Sequence, residues 1–165
     1  MIPVQVEDGM SIDLTPRDHS ELIKKIITQF APRYAPGAEV IYVGDTGDKD
    51  GYFKEGKLES LGVKVDKHGK MPDVVLYLGS KDWLLLIESV TSHGPVDAKR
   101  RVELGALFAD ATPGLVYVTA FPSRALMGRF LPEISWETEV WCADSPSHLI
   151  HFNGERFLGP YETGS

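Results

Sequence analysis

Leu22, Ile23, Ile26, Ile27 and Phe30 recur at helical spacing and fall on one side of a helix. The residues before them, Thr15-Pro16-Arg17-Asp18, have the form of a helix start. Threonine stands at the cap, proline at the first position and an acid at the third. The pattern predicts a helix that ends near Ala31-Pro32, since proline has no N–H to continue the ladder. His19 falls on the apolar side and reads as a satisfied core residue, while Glu21 lies opposite the stripe.

Beyond the helix, Glu39 to Asp45 reads as a short strand. Residues 46 to 70 are rich in glycine and charge and read as a long excursion outside the core. Met71 to Leu78 and Trp83 to Val90 are apolar without clean alternation, which predicts central strands covered on both faces. Pro95 to Asp110 reads as a helix and Gly114 to Phe121 as a further buried strand. Residues 123 to 131 look helical up to Pro132, and Thr138 to Ala143 alternates like a strand. Leu149 to Phe157 carries Asn153-Gly154, a type I′ hairpin signal. The predicted order is helix, three strands, helix, strand, helix, strands. That is an α/β fold with a mixed β-sheet flanked by helices.

Composition narrows the picture only partly. The 165 residues, 42% of them hydrophobic, suffice for one core, so a single domain spanning 1–165 is expected. The lone cysteine, Cys142, cannot form an internal disulfide; no signal peptide is apparent, and a cytoplasmic location is expected. No apolar run approaches the roughly 20 residues that cross a bilayer, so no membrane role is expected. A net charge of −7 argues against a nucleic-acid binder. A metal-dependent nuclease, however, gathers carboxylates at its site, and the basic residues here are grouped. Lys64, Lys67, His68 and Lys70 form one group and Lys99-Arg100-Arg101 another; either could equally be a solvated face.

Candidate chemistry comes from the two central strands. If Gly79 to Asp82 forms the loop, Leu78 faces Trp83, and counting back along the ladder brings Asp73 opposite Glu88. Two opposed carboxylates repel, so one protonates, one turns away to a basic partner, or a cation sits between them. Such oxygen ligands suit Mg²⁺ or Mn²⁺. Asp45, ending an antiparallel neighbour, would be a third acid at this end of the sheet, or would cap the turn in Gly44-Asp45-Thr46-Gly47. The strand carrying Glu88 runs through Thr91-Ser92-His93-Gly94 into the next helix, so that helix starts beside the acids. Its first turns hold Lys99, Arg100 and Arg101, the wrong sign for the helix dipole unless phosphate or nearby Asp97 and Glu103 answers them. His93 could be a general base, a phosphate contact or polar surface. No Walker loop, G-x-G-x-x-G, G-x-S-x-G or zinc spacing occurs.

Pro72-Asp73, fourteen residues, then Glu88 resembles the signature of the PD-(D/E)XK nucleases. Longer strings are more specific. They include Tyr42 to Asp48, Gly69 to Tyr77, Leu84 to Asp97, Lys99 to Leu104, Gly114 to Phe121, Ile134 to Trp141 and His148 to Pro160. These resemble the BsuBI/PstI family of type II restriction endonucleases, over roughly residues 10 to 160.

The resemblance implies a restriction-endonuclease-like core and a Mg²⁺-dependent enzyme that cuts double-stranded DNA at CTGCAG within a restriction-modification system. It implies a homodimer, since two-fold symmetry reads a palindrome. Asp73 and Glu88 would take the acidic motif positions, while a metal role for Asp45 rests on its strand placement alone. Lys70, His93, Lys99, Arg100 and Arg101 would meet DNA. Two departures stand out. The motif lysine position, two residues after Glu88, is Val90, so Lys99 or Lys70 is expected to bring a cation. Family members are also about twice as long, so the chain is expected to be their C-terminal catalytic domain, with a recognition region elsewhere. The alternatives are a DNA-binding module of the same fold without catalysis, favoured by Val90, and a protein-interaction domain, favoured by the net charge.

Overall fold

The computed structural model describes residues 2–7, 9–14, 18–44, 52–64, 70–91, 94–152 and 154–155. Seven strands form one mixed sheet in the order β4-β3-β5-β6-β7-β8-β9. They are β3 (Glu39–Val43), β4 (Tyr52–Phe53), β5 (Val74–Leu78), β6 (Trp83–Ser89), β7 (Gly114–Phe121), β8 (Glu139–Cys142) and β9 (Leu149–His151). The pairs β3–β5, β5–β6 and β8–β9 are antiparallel, while β6–β7 and β7–β8 are parallel. A parallel pair needs a crossover, and α4 (Ala98–Leu107) supplies it between β6 and β7. The expected α/β architecture with a mixed sheet is therefore present.

Both faces of β5 and β6 are covered, as their unbroken apolar runs require. On one face Val74, Leu76, Leu78, Leu85 and Ile87 pack with Leu22, Ile23, Ile26 and Phe30. On the other, Val75, Leu84 and Leu86 pack with Leu58, Leu104 and Phe108. A smaller core at the end of the sheet joins Val90, Phe121, Ile134, Val140 and Cys142 to α5 (Arg124–Phe130) through Leu126, Met127 and Phe130.

Several details depart from the sequence pattern. The apolar helix begins as α1 (Asp18–Lys25) and does not stop at Ala31-Pro32. It passes through a π-helical turn, Ile26–Phe30, and continues as α2 (Ala31–Tyr34). The wider turn bonds the Ala31 N–H to the Ile26 carbonyl, which loosens the helix just where the proline ring and its missing N–H would break it. A hairpin of β1 (Ile2–Glu7) and β2 (Met10–Leu14) precedes it and buries Val4 and Leu14 in the first core. Its sequence signal is Ile2, Val4 and Val6 alternating before a turn at Gly9.

The stretch expected to lie outside the core holds β4 and α3 (Glu55–Ser60) among its described residues, with Leu58, Leu61 and Val63 buried. Three apolar residues among glycines and charges suffice to anchor it. The Thr15-Pro16-Arg17 cap, Lys67, His68 and the Asn153-centred turn lie outside the described residues.

Leu58→Ala is expected to destabilise the fold by about 2–5 kcal/mol in a urea unfolding curve. A loop residue outside the core would change stability by only about ±0.5 kcal/mol.

Candidate active site

Leu78 pairs with Trp83 and Val74 with Ile87, so the predicted hairpin register is present. Asp73 lies in a bend one residue before β5, and Glu88 is the sixth residue of β6. The ladder ends before the acids meet as a pair, and each turns to its own basic partner.

Asp73 Oδ2 accepts from the backbone N–H of Ser89 (2.8 Å) and from its hydroxyl (3.0 Å). His19 Nε2 of α1 lies 3.2 Å from Asp73 Oδ1, and the same ring lies 3.1 Å from the Ser89 hydroxyl. Burial works to raise the Asp73 pKa, but the bond and charge of His19 and the two Ser89 bonds outweigh it, and the carboxyl sits below its usual value. Glu88 behaves oppositely. Its burial and the Asp73 charge raise its pKa, and Arg100 offsets this only in part. The two carboxylates thus stay close enough to feel each other.

Arg100 of α4 donates to Glu88 Oε1 from Nε (3.0 Å) and Nη2 (2.6 Å). Asp97 caps that helix by accepting from the Arg100 backbone N–H at 2.7 Å, so the helix dipole meets an anion from the chain itself. The neighbouring bases have acidic partners too. Lys99, 85% exposed, lies 3.9 Å from Glu103. Arg101 bonds Glu137 at 2.8 Å and stacks over Tyr117 at 4.9 Å. Lys70 is exposed at the entrance to β5.

The strand expected to bring Asp45 to Asp73 does run antiparallel to β5, and the Gly44 N–H bonds the Asp73 carbonyl at 2.9 Å. Asp45 and His93 lie outside the described residues. Val90 shares the face of Glu88 by strand period, but it is fully buried under Phe121, Ile134, Val140 and Cys142. A lysine there would start from inside that apolar core.

Sequence reading overlooked His19 and Ser89. His19 does lie on the apolar side of α1, as its helical angle predicts. The first core opens at the carboxyl end of β6, where a residue on the apolar face of α1 meets polar groups. Ser89 carried a usable signal, being a hydroxyl beside Glu88 at a strand end. Tyr42 also borders the site, its pKa raised by burial and by the Asp73 charge.

Among the described residues no group of three or more His, Cys, Asp and Glu side chains forms a metal cluster. The donor chemistry still fits a hard divalent cation. Asp73 and Glu88 offer carboxylate oxygens, Arg100 binds only Oε1 of Glu88, and burial first, then the Asp73 charge, raises the Glu88 pKa, so a cation between the two acids would relieve the repulsion.

Comparison with known proteins shows the family to which the chain is similar. The BsuBI/PstI restriction endonuclease domain matches residues 2–155. The chain is 68% identical over 161 residues to the type II restriction enzyme BsuBI of Bacillus subtilis, covering 98% of this chain and 51% of that protein. It is 32% identical over 162 residues to the type II restriction enzyme AplI of Arthrospira platensis, covering 94% and 50%. Its fold superposes on the SdaI restriction endonuclease structure with a TM-score of 0.92 at 49% identity, covering 98% of this chain and 51% of that one. The chain spans about half the length of the curated relatives it matches.

Val90→Lys is expected to lower stability by about 2 kcal/mol or more in chemical denaturation, by burying an unpaired ammonium. Unchanged stability would mean that position 90 can reach solvent.

Proposed function

This chain belongs to the BsuBI/PstI restriction endonuclease family, and on that premise we propose that it is the catalytic half of a Mg²⁺-dependent type II enzyme that hydrolyses phosphodiester bonds in double-stranded DNA. The observation that carries this reading is the pair of half-buried carboxylates, Asp73 and Glu88, at the open end of the β5–β6 hairpin beside the start of α4.

Asp73 and Glu88 would hold the cation, with Asp45 a further candidate. Bound there, Mg²⁺ would polarise a phosphodiester and lower the pKa of an attacking water. The chain's own residues prepare the place. His19 and Ser89 orient Asp73 and hold it ionised, while Arg100 orients Glu88 and only in part offsets the burial and the Asp73 charge that raise its pKa. Lys70 and Lys99, both exposed, contact phosphates, as do Arg101 and His93. Lys99 exchanges its exposed Glu103 partner for phosphate at little cost, since such surface pairs are worth about 0–1 kcal/mol.

The family likeness supports CTGCAG as the target and a homodimer as the reader of that palindrome. We place this enzyme in the cytoplasm, in a restriction-modification system. Because the relatives are about twice as long, base recognition draws on a region of the kind that makes up the rest of them, and phosphodiester chemistry is assigned to this half. Val90 favours a second reading, a DNA-binding module without catalysis. Arg100 weighs against it, because a cation stands at Glu88 even without the strand lysine.

The test is plasmid cleavage with Mg²⁺. Wild type is expected to cut, EDTA to stop it, and Asp73→Ala or Glu88→Ala to slow it by roughly a hundredfold or more, since several kcal/mol of charge stabilisation leave with the metal. Equal cleavage by wild type and Asp73→Ala would sink the assignment, and salt-dependent DNA binding without Mg²⁺-dependent cutting would favour the binding module.

A further inference from the structure

Arg100 does more than neutralise Glu88. Its Nη2 also donates to the backbone carbonyls of Lys70 (2.9 Å) and Met71 (3.2 Å). Those carbonyls belong to the segment that leads through Pro72 into Asp73. One guanidinium, only 11% exposed, therefore joins β6 to the approach of β5 at the point where the two acids sit. We infer that Arg100 is the positioning residue of the metal site. It sets the spacing of Asp73 and Glu88, and it supplies from α4 the positive charge that the motif assigns to a strand lysine. The inference rests on the reading of Asp73 and Glu88 as metal ligands.

The shape of the group matters as much as its charge. A guanidinium offers five N–H donors in a rigid plane, and two edges of it serve the carboxylate and the carbonyls together. A lysine ammonium is a point charge on a flexible stem and cannot hold both strands in one plane. Arg100 is itself held. Its backbone N–H donates to the Asp97 cap, and Glu103 Oε2 lies 3.6 Å from its Nη1. The start of α4 thus acts as a ruler against which both carboxylates are set.

Burying two charges is a poor way to stabilise a fold, since removing them from water costs about as much as their attraction returns. A pair that also ties down two backbone carbonyls, beside a second carboxylate, is better explained by what it positions. The division of labour follows from Val90. Position 90, just past β6, belongs to the core under α5, so the charge comes from the helix.

Two variants separate charge from shape. Arg100→Lys keeps the charge and loses the fork; Arg100→Met loses both at similar length. Mn²⁺ binding is read by calorimetric titration of the whole chain, alongside far-UV circular dichroism and Mg²⁺-dependent plasmid cleavage. Arg100→Met is expected to stay folded and bind Mn²⁺ about ten- to a hundredfold more weakly, the usual effect of losing a partner that orients a metal ligand. Arg100→Lys is expected to fall between it and wild type, and the Mg²⁺ requirement for cutting to rise in the same order. Wild-type Mn²⁺ affinity in folded Arg100→Met overturns the inference. Should Arg100→Met fail to fold, Arg100→Lys decides, and wild-type affinity there overturns the role of the fork. Wild-type protein that binds no Mn²⁺ removes the metal-site reading itself, and the inference with it; wild-type binding with unaffected variants removes the inference alone.

Discussion

The turn from Gly79 to Asp82 determines where the site lies. It sets Leu78 opposite Trp83, and from that pair every residue of β5 and β6 takes its partner. Asp82 holds a left-handed conformation (φ 54°), and the Tyr77 hydroxyl donates to its carboxylate at 2.9 Å. A slip of one residue would move each side chain to the opposite face. Because both faces of this hairpin are apolar, burial alone separates the two registers weakly. The polar ends decide. Only the observed register brings Glu88 under Arg100 and Ser89 onto Asp73.

The cost of that arrangement is two carboxylates at one poorly hydrated sheet end. The fold meets it with separate basic partners from opposite layers, His19 from the first helix and Arg100 from the crossover helix. The balance is unequal, Asp73 being held ionised while Glu88 is pushed toward its protonated form. The residual strain between like charges is what a divalent cation would relieve.

Much of this could be read from the sequence because it depends on period and register. The buried strands, the hairpin and the acids at its end follow from uninterrupted apolar runs and one loop length. What escaped depends on tertiary context. His19 looks like a core residue because its helical angle is right, and only the depth at which α1 crosses the sheet makes it a partner of Asp73. Arg100 is one of three consecutive bases, and the sequence does not distinguish it from Lys99. The helix start turns Arg100 inward to Glu88 and leaves Lys99 in solvent. The π-helical turn before Pro32 and the burial of Leu58 belong to the same class, local signals overruled by packing. Position 90, which the motif reserves for a lysine, carries the clearest lesson. Valine there belongs to the core under α5, and the cation is supplied by a neighbouring element instead.

The central claim is that Asp73 and Glu88 together hold one divalent cation. Anomalous scattering from crystals grown with Mn²⁺ tests it directly. The account predicts one peak between the two side chains, with oxygens of both within about 2.0–2.6 Å. A peak held by other residues, or none at saturating Mn²⁺, would contradict it.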